Sequence, residues 1–312
     1  MTSIKIRNSL ILVLTSLIWG ISFVSQSTGG DAVGPWAFNC IRSFIGSGFL
    51  VIVIFFMDRM GLSKGKPANR AERKILIKGG ILCGLALCVA TNLQQMGIYL
   101  GTSAGKAGFL TACYILLVPI IGIFLKKKCG INVWIGVILA VIGLYLLCIK
   151  ESLSFQLSDS LVLICALVFS FHILIIDHFS PLVDGVRMSC IQFLVCGIVT
   201  SVPMFIFDMD GSISGIVAWA PSLATWDAWI ALLYAGIGSC GIAYTLQIIG
   251  QKGLNPTVAS LIMSLESVFS VIAGWIILDE AMNGRELLGC GLIFVAIILA
   301  QIPVKLLIKN KK

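Results

Sequence analysis

Charge is scarce in this sequence. Asp, Glu, Lys and Arg make up 12% of its 312 residues, against about 25% in a soluble domain. With 58% hydrophobic residues, that scarcity excludes the ordinary water-soluble globule. Catalytic signatures are scarce too. No Walker A loop occurs, which speaks against ATP hydrolysis by this chain, and there is no HExxH. Paired carboxylates of the intramembrane aspartyl-protease kind are missing. The two histidines, His172 and His178, have no partner motif for hydrolysis. None of the eleven cysteines forms a CxxC pair or a Cys/His cluster, so neither a disulfide framework nor a metal site is expected, and they read as small packing residues. No cofactor is expected. The first apolar run lacks an Ala-x-Ala cleavage site and is followed by many more, so it reads as a retained helix rather than a signal peptide.

What the chain does have is apolar runs. Ten are near the roughly 20 residues needed to cross a bilayer. They lie at about 9–27, 36–57, 75–97, 106–125, 132–149, 159–177, 188–207, 227–249, 257–278 and 286–307. Unpaired backbone groups cannot face lipid, so these runs are helices. The expected class is an all-α membrane protein with ten transmembrane helices. Eighteen of the 22 Lys and Arg fall in segments on the side of the N-terminus. Lys106, Lys150 and Arg285 fall on the other side, and Arg42 sits within a span. The positive-inside rule then puts both termini in the cytoplasm of a multi-pass protein of the plasma (inner) membrane. Short basic loops of this kind make nucleic acid a poor partner. The expected partners are the lipid bilayer and a small-molecule substrate, with a monomer as the working unit.

The chain also repeats itself. Asn39-Cys40-Ile41-Arg42 matches Ser189-Cys190-Ile191-Gln192 at an offset of 150, where Trp19 also meets Phe169 and Ser22 meets His172. Leu93-Gln94 matches Leu246-Gln247 and Gly136 matches Gly289 at an offset of 153. Five spans per half is an odd number, so the second half must cross the membrane upside down. Residues 1–152 and 153–312 are the expected halves, and inverted repeats of this sort characterise secondary transporters with a site near the midplane.

Two ionisable residues sit well inside spans. Arg42 lies roughly 10 Å from the nearer helix end by helical rise, and Glu266 lies near the middle of the ninth span. Each is costly in hydrocarbon and needs a cavity or a partner. Arg42 either meets substrate or snorkels to the interface. Glu266 either senses protons or, protonated, bonds a neighbouring helix. Asn39 precedes Arg42 by one turn on the same face. Asn92, Gln94 and Gln95 point in different directions, some to neighbouring helices and some to a cavity, and Gln247 repeats Gln94. Trp19, Phe23, Tyr114 and Tyr244 are aromatic positions within spans, suited to packing or to an organic, partly apolar substrate. The small residues Gly101 to Gly108, with Lys106 among them, read as a hinge between the third and fourth spans.

These stretches resemble a known family. WGISFV, from Trp19 to Val24, is similar to the W-G-x-x-F element of EamA-type members of the drug/metabolite transporter superfamily. Pro35 followed by Ile41-Arg42-Ser43-Phe44 is similar to its P…R-F element. TSAGKAGFLTACYILLVP, ending at Pro119, resembles T-x-A-x-x-A-G-F-L-T…VP. SLESVFSVIAGWIILDE resembles S-L-E-P-V-F…L-x-E, departing from it at Ser267 where proline is usual. Leu288-Gly289 matches the L-L-G element. The resemblance spans nearly the whole chain and implies ten helices in two inverted halves. It also implies a cavity built mainly from the first, third, fourth, sixth, eighth and ninth helices, and secondary transport of small metabolites, often outward.

The expected function is export of an amino acid or related metabolite by alternating access. The expected cavity residues are Trp19, Phe23, Asn39, Arg42, Asn92, Gln94, Tyr114, His172, Tyr244 and Gln247, with Glu266 or His172 sensing protons. A passive facilitator or channel, and a membrane-embedded lipid-modifying enzyme, are the alternatives; the enzyme lacks a cluster of catalytic polar groups at one interface.

Overall fold

The computed structural model describes residues 3–62, 66–102, 104–127, 129–148, 156–278 and 283–302. Lys64, Lys128, Lys150, Lys305, Lys309, Lys311 and Lys312, the 152/153 boundary and the last residues of the tenth apolar run lie outside them. The described residues form helices in chain order: α1 (Ser3–Val33), α2 (Pro35–Arg59), α3 (Arg70–Tyr99), α4 (Ala104–Ala112), α5 (Tyr114–Phe124), α6 (Ile131–Cys148) and α7 (Leu157–Phe179). Then come α8 (Gly185–Pro203), α9 (Ile213–Trp219), α10 (Trp226–Leu233), α11 (Tyr244–Gln251), α12 (Pro256–Met263), α13 (Leu265–Leu278) and α14 (Gly284–Gln301). Among the described residues eight helical stretches are long and apolar enough to cross a membrane, and Ile131–Leu147, Ile213–Ala224 and Pro256–Ile272 are shorter apolar helices. The protein is an all-α membrane protein.

Most helices run past the apolar stretches that announce them, because their ends carry caps. Asn69 accepts from the Glu72 N–H at the start of α3, and Asp184 accepts from the Arg187 N–H at the start of α8. Gln156 and Asp159 form a reciprocal capping box on α7. Each such contact satisfies an orphan donor of the first turn. Gly34 supplies the positive φ of 93° between α1 and α2. The Asp208 carboxylate then accepts from the Ala37 N–H at 2.6 Å.

The hinge is not where small residues suggested. Residues 104–108 are helical, and the described turn after α3 covers Leu100–Thr102, where Gly101 has φ 108°. The break falls later, at Cys113, where the Cys113 N–H reaches back only three residues, to the Leu110 carbonyl at 3.2 Å. A matching break falls at Ser264, three residues before Ser267, and the Ser267 N–H likewise bonds the Ser264 carbonyl at 3.2 Å. This helix breaks without the proline usual in the family. Between α10 and α11 the chain stays helical but widens into a π-helical stretch, Tyr234–Ala243, and α8 runs on as Met204–Asp208 in the same way. Helix α9 was not anticipated; its apolar run is shorter than a span, and Trp219 ties it to α1 by donating to the Val33 carbonyl at 2.7 Å.

Lipid tails are as apolar as leucine, so helices in a bilayer associate through close packing and polar contacts. Small residues set the crossings here. A Cβ on Gly289 of α14 would come within 2.6 Å of the Gly143 carbonyl oxygen, and one on Gly136 of α6 within 2.8 Å of the Ala296 carbonyl oxygen. Across α2 and α8, the Cys40 thiol donates to the Gly197 carbonyl at 3.5 Å and the Cys190 thiol to the Ser47 carbonyl at 3.7 Å. Ion pairs tie helix ends: Lys106 to the fully buried Asp159, Lys127 to Asp177, and Arg187 to Asp58. Phe55, Phe56, Leu85, Ile138, Leu194 and Ile298 are among the exposed apolar residues that give the outer surface a lipid-compatible face.

Gly289→Leu forces α6 and α14 apart, at about 1–3 kcal/mol for overpacking. The midpoint of thermal unfolding in detergent should fall by several degrees, whereas Gly284→Leu, at a glycine with open space around it, should leave it unchanged.

Candidate functional site

A cavity with about 490 Å³ of space between the atoms, part of it open to solvent, lies where the irregular helices meet. Helix α1 supplies one continuous face: Trp19, Ser22, Phe23 and Gln26, at helical spacings of three, four and seven. Arg42 comes from α2 and Gln94 from α3. Thr111 and Tyr114 flank the break at Cys113, and Met263 and Glu266 flank the break at Ser264. Phe169 and Ile173 project from α7, while Ser239 and Tyr244 come from the π-helical stretch and the helix after it, with Gln247 one turn on. Broken backbone at membrane depth is tolerated where it lines a cavity, and here it turns side chains of four helical segments toward one point.

The walls are aromatic. Trp19 and Tyr244 lie with ring centroids 4.6 Å apart, and Phe193 backs Tyr244 edge-on at 5.3 Å. The Tyr114 hydroxyl donates to Glu266 Oε1 at 3.1 Å, and Gln94 donates to Thr111 Oγ1 at 2.9 Å. Glu266 is 5% exposed; it bonds a neighbouring helix and also borders the cavity.

Arg42 differs. It is 4% exposed and does not snorkel. Its guanidinium lies 5.2 Å from the Phe38 ring centroid. Among the described residues no carboxylate pairs with it and no acceptor takes its protons. Four more buried polar atoms of the lining lack partners among the described residues: Trp19 Nε1, Ser22 Oγ, Gln26 Oε1 and Gln247 Oε1. Unpartnered buried atoms also occur away from the lining, at Asn39 Oδ1, Gln95 Oε1 and His172 Nδ1 among others, so what distinguishes this surface is the unpaired charge of Arg42 beside them, since a buried charge needs a partner.

Trp19, Phe23, Arg42, Gln94, Tyr114, Tyr244, Gln247 and Glu266 thus come together, and three expected residues do not join them. Asn39 donates to Asn92 Oδ1 at 2.9 Å and to the Thr91 carbonyl at 3.0 Å. Asn92 passes the chain on to Thr200 Oγ1 at 2.9 Å. Both side chains are held between α2, α3 and α8 through the Asn39 and Asn92 amide N–H groups, the interhelical contact that polar residues make in a bilayer; Asn39 Oδ1 stays unpartnered among the described residues. His172 is fully buried, and its Nε2 lies 3.2 Å from Gln192 Oε1. It sits behind Tyr244, at 6.1 Å between ring centroids, rather than in the lining. Gln95 is also structural, donating to the Gln26 carbonyl at 2.8 Å.

Sequence reasoning missed Ser22, Gln26, Thr111, Phe169, Ile173, Ser239 and Met263. Carrying Trp19's helical face two turns forward would have found Ser22 and Gln26, and Phe169 lies 150 residues after Trp19, at the offset of the sequence matches. Ile173 lies one turn after Phe169 on the same face of the regular helix α7, and Thr111, Ser239 and Met263 lie beside helix irregularities that leave no periodic signal.

Among the described residues no group of three or more His, Cys, Asp or Glu could hold a metal ion. The pattern G-x-S-x-G of serine hydrolases occurs twice, at Gly61–Gly65 and Gly101–Gly105, but its serines, Ser63 and Ser103, lie outside the described residues. That elbow requires a strand leading into a helix, and no strand occurs among the described residues.

Comparison with known proteins agrees with this architecture. The profile of the EamA-like transporter family matches residues 7–149 and again residues 156–301. An uncharacterised transporter of Archaeoglobus fulgidus is 28% identical over 298 residues, covering 94% of this chain and 85% of its own. The uncharacterised transporter YoaV of Bacillus subtilis is 25% identical over 288 residues, covering 90% of this chain and 92% of its own. A protein of known crystal structure superposes with a TM-score of 0.75 at 17% identity, over 98% of this chain and 99% of that one, which shows a shared fold. The chain belongs to the EamA-like transporter family, and with its multi-pass helical body it is a secondary transporter of small molecules across a membrane.

Proposed function

We propose that this protein exports an amino acid or a closely related amphoteric metabolite by alternating access between two inverted five-helix halves, residues 1–152 and 153–312. The observation that carries the substrate reading is Arg42, a buried guanidinium facing the cavity without an anion of its own. A substrate carboxylate completes it, with Trp19 Nε1 as a second donor. The acceptors Gln247 Oε1, Gln26 Oε1 and the Glu266 carboxylate suit an ammonium group. The aromatic walls take the remaining, less polar part of the molecule.

Ten spans follow if the shorter helix α6 and the broken pair α12–α13 cross along with the eight longer stretches. The double match of one family profile supports the halves. So does the way contacts repeat. Cys40 with Gly197 and Cys190 with Ser47 are one contact seen twice at the offset of 150. Gly136 with Ala296 and Gly289 with Gly143 are another, at 153. An exchange of this kind is what a two-fold axis in the membrane plane produces. The distribution of Lys and Arg supports termini in the cytoplasm of a plasma-membrane protein. Gly20 lets α1 approach α13 closely beside the site, where a Cβ would meet the Glu266 carbonyl oxygen at 2.7 Å, the close helix contact that small residues permit in a bilayer.

Uptake of labelled amino acids into proteoliposomes, with and without a pH gradient, tests the reading. A proton gradient should drive accumulation above equilibrium, and Glu266→Gln should remove that drive. Equilibration without accumulation supports the passive facilitator instead, and pH-driven uptake unchanged in Glu266→Gln takes Glu266 out of the coupling. Truncating one partner of a buried charge pair costs about 2–5 kcal/mol. Arg42→Gln should therefore lower transport of carboxylate-bearing substrates at least tenfold, and Arg42→Lys should restore little of it because the planar fork is lost. Equal transport by wild type and Arg42→Gln would remove the carboxylate from this position.

A further inference from the structure

Helix α3 opens with cations that no acid answers. Arg70, Arg73, Lys74 and Lys78 are exposed, and among the described residues none has an ion-pair or hydrogen-bond partner. The acid beside them, Glu72, is already engaged: it accepts from the Ala68 N–H at 2.8 Å and from the Asn69 amide at 2.9 Å. The Asn69 cap also occupies the helix end itself.

Helical spacing sorts these residues by face. The packed face of α3 runs through Gly79, Gly80 and Gly84, whose positions touch Phe179, Ile191 and Val195 of α7 and α8. Lys74 and Lys78 lie one turn apart, about 6 Å along the axis, on the opposite face, with Arg70 one turn before them. That outward face continues as the exposed residues Leu82, Leu85 and Val89. Helix α3 has 30 residues, and hydrocarbon accounts for about 20 of them. The surplus holds the cations at headgroup depth, directly above side chains that face acyl chains.

We propose that this ladder docks an anionic phospholipid. The phosphodiester lies against Arg70, Lys74 and Lys78, with Arg70 offering the forked donor that suits phosphate oxygens, and an acyl chain runs along Leu82, Leu85 and Val89. Continuity of cation and apolar surface on one helix face favours a lipid over a soluble anion, which would use the charges alone. Helix α3 also carries Gln94 into the cavity, so the lipid anchors an element of the site.

Native mass spectrometry of the full-length protein, released from detergent micelles holding equal phosphatidylglycerol and phosphatidylcholine, reads the preference directly. Wild type should retain several-fold more phosphatidylglycerol. The variant R70Q/K74Q/K78Q should bring the ratio close to one, while K5Q/R7Q, which removes cations from the start of α1, should keep the wild-type ratio. The altered side chains are exposed, and an unchanged thermal midpoint in phosphatidylcholine micelles checks the fold; the single variants K74Q and K78Q should lower the ratio part-way. A wild-type ratio near one, a triple variant that keeps the preference, or an equal fall in K5Q/R7Q would overturn the proposal. So would displacement of the lipid by inorganic phosphate at the same concentration, which would mark a site for a free anion.

Discussion

A polar group in hydrocarbon has to be answered from within the protein, and that constraint separates scaffold from site in this bundle. Burying an arginine at the centre of a membrane helix costs about 2.5–3.5 kcal/mol even on the mildest scales. Most buried polar side chains here meet the constraint locally. Asn39, Asn92 and Thr200 form a closed chain across three helices, and Gln95 is tied to the α1 backbone. Arg42, one turn from Asn39, is not answered, and neither are Trp19 Nε1, Ser22 Oγ, Gln26 Oε1 and Gln247 Oε1. All five border the same cavity. Single open atoms also occur in the scaffold, at Asn39 Oδ1, Gln95 Oε1 and His172 Nδ1; the cavity differs in holding an unpaired charge, Arg42, among them.

The cavity exists because the helices around it are imperfect. The breaks at Cys113 and Ser264 change the direction of the chain within the membrane. Each is followed within two residues by a side chain of the site, Tyr114 in one case and Glu266 in the other, and the Tyr114 hydroxyl donates to Glu266. The π-helical stretch before Tyr244 rotates the side chains that follow it relative to a regular helix. Regular α-helices at these positions would keep the polar side chains at a fixed pitch of about 100° per residue, spread over several interfaces instead of one.

The helical body was legible in the sequence because hydrocarbon thickness sets a minimum length for each apolar run. The ends were less so. Capped polar turns such as Asn69–Glu72 extend the helices into the headgroup region without any hydrophobic signal. The hinge was misplaced because glycine and serine content marks where a chain is free to bend, whereas α4 passes through residues 104–108 as helix and breaks only at Cys113. In the site, Trp19, Arg42, Gln94 and Glu266 stood out as costly or bulky residues within spans. His172 stood out for the same reason and yet is sealed against Gln192, because sequence does not say which of two neighbouring interfaces a side chain enters. Ser239 and Met263 could not be read at all, since their exposure to the cavity depends on helix irregularity.

Arg42 is proposed as the anchor for the carboxylate of a substrate held in the cavity. A structure of the protein with a transported amino acid bound tests it most directly. The account predicts the carboxylate within about 3 Å of the guanidinium nitrogens and the ammonium turned toward Glu266 and Gln247. A ligand bound elsewhere, or bound in the cavity with its carboxylate turned away from Arg42, would contradict it.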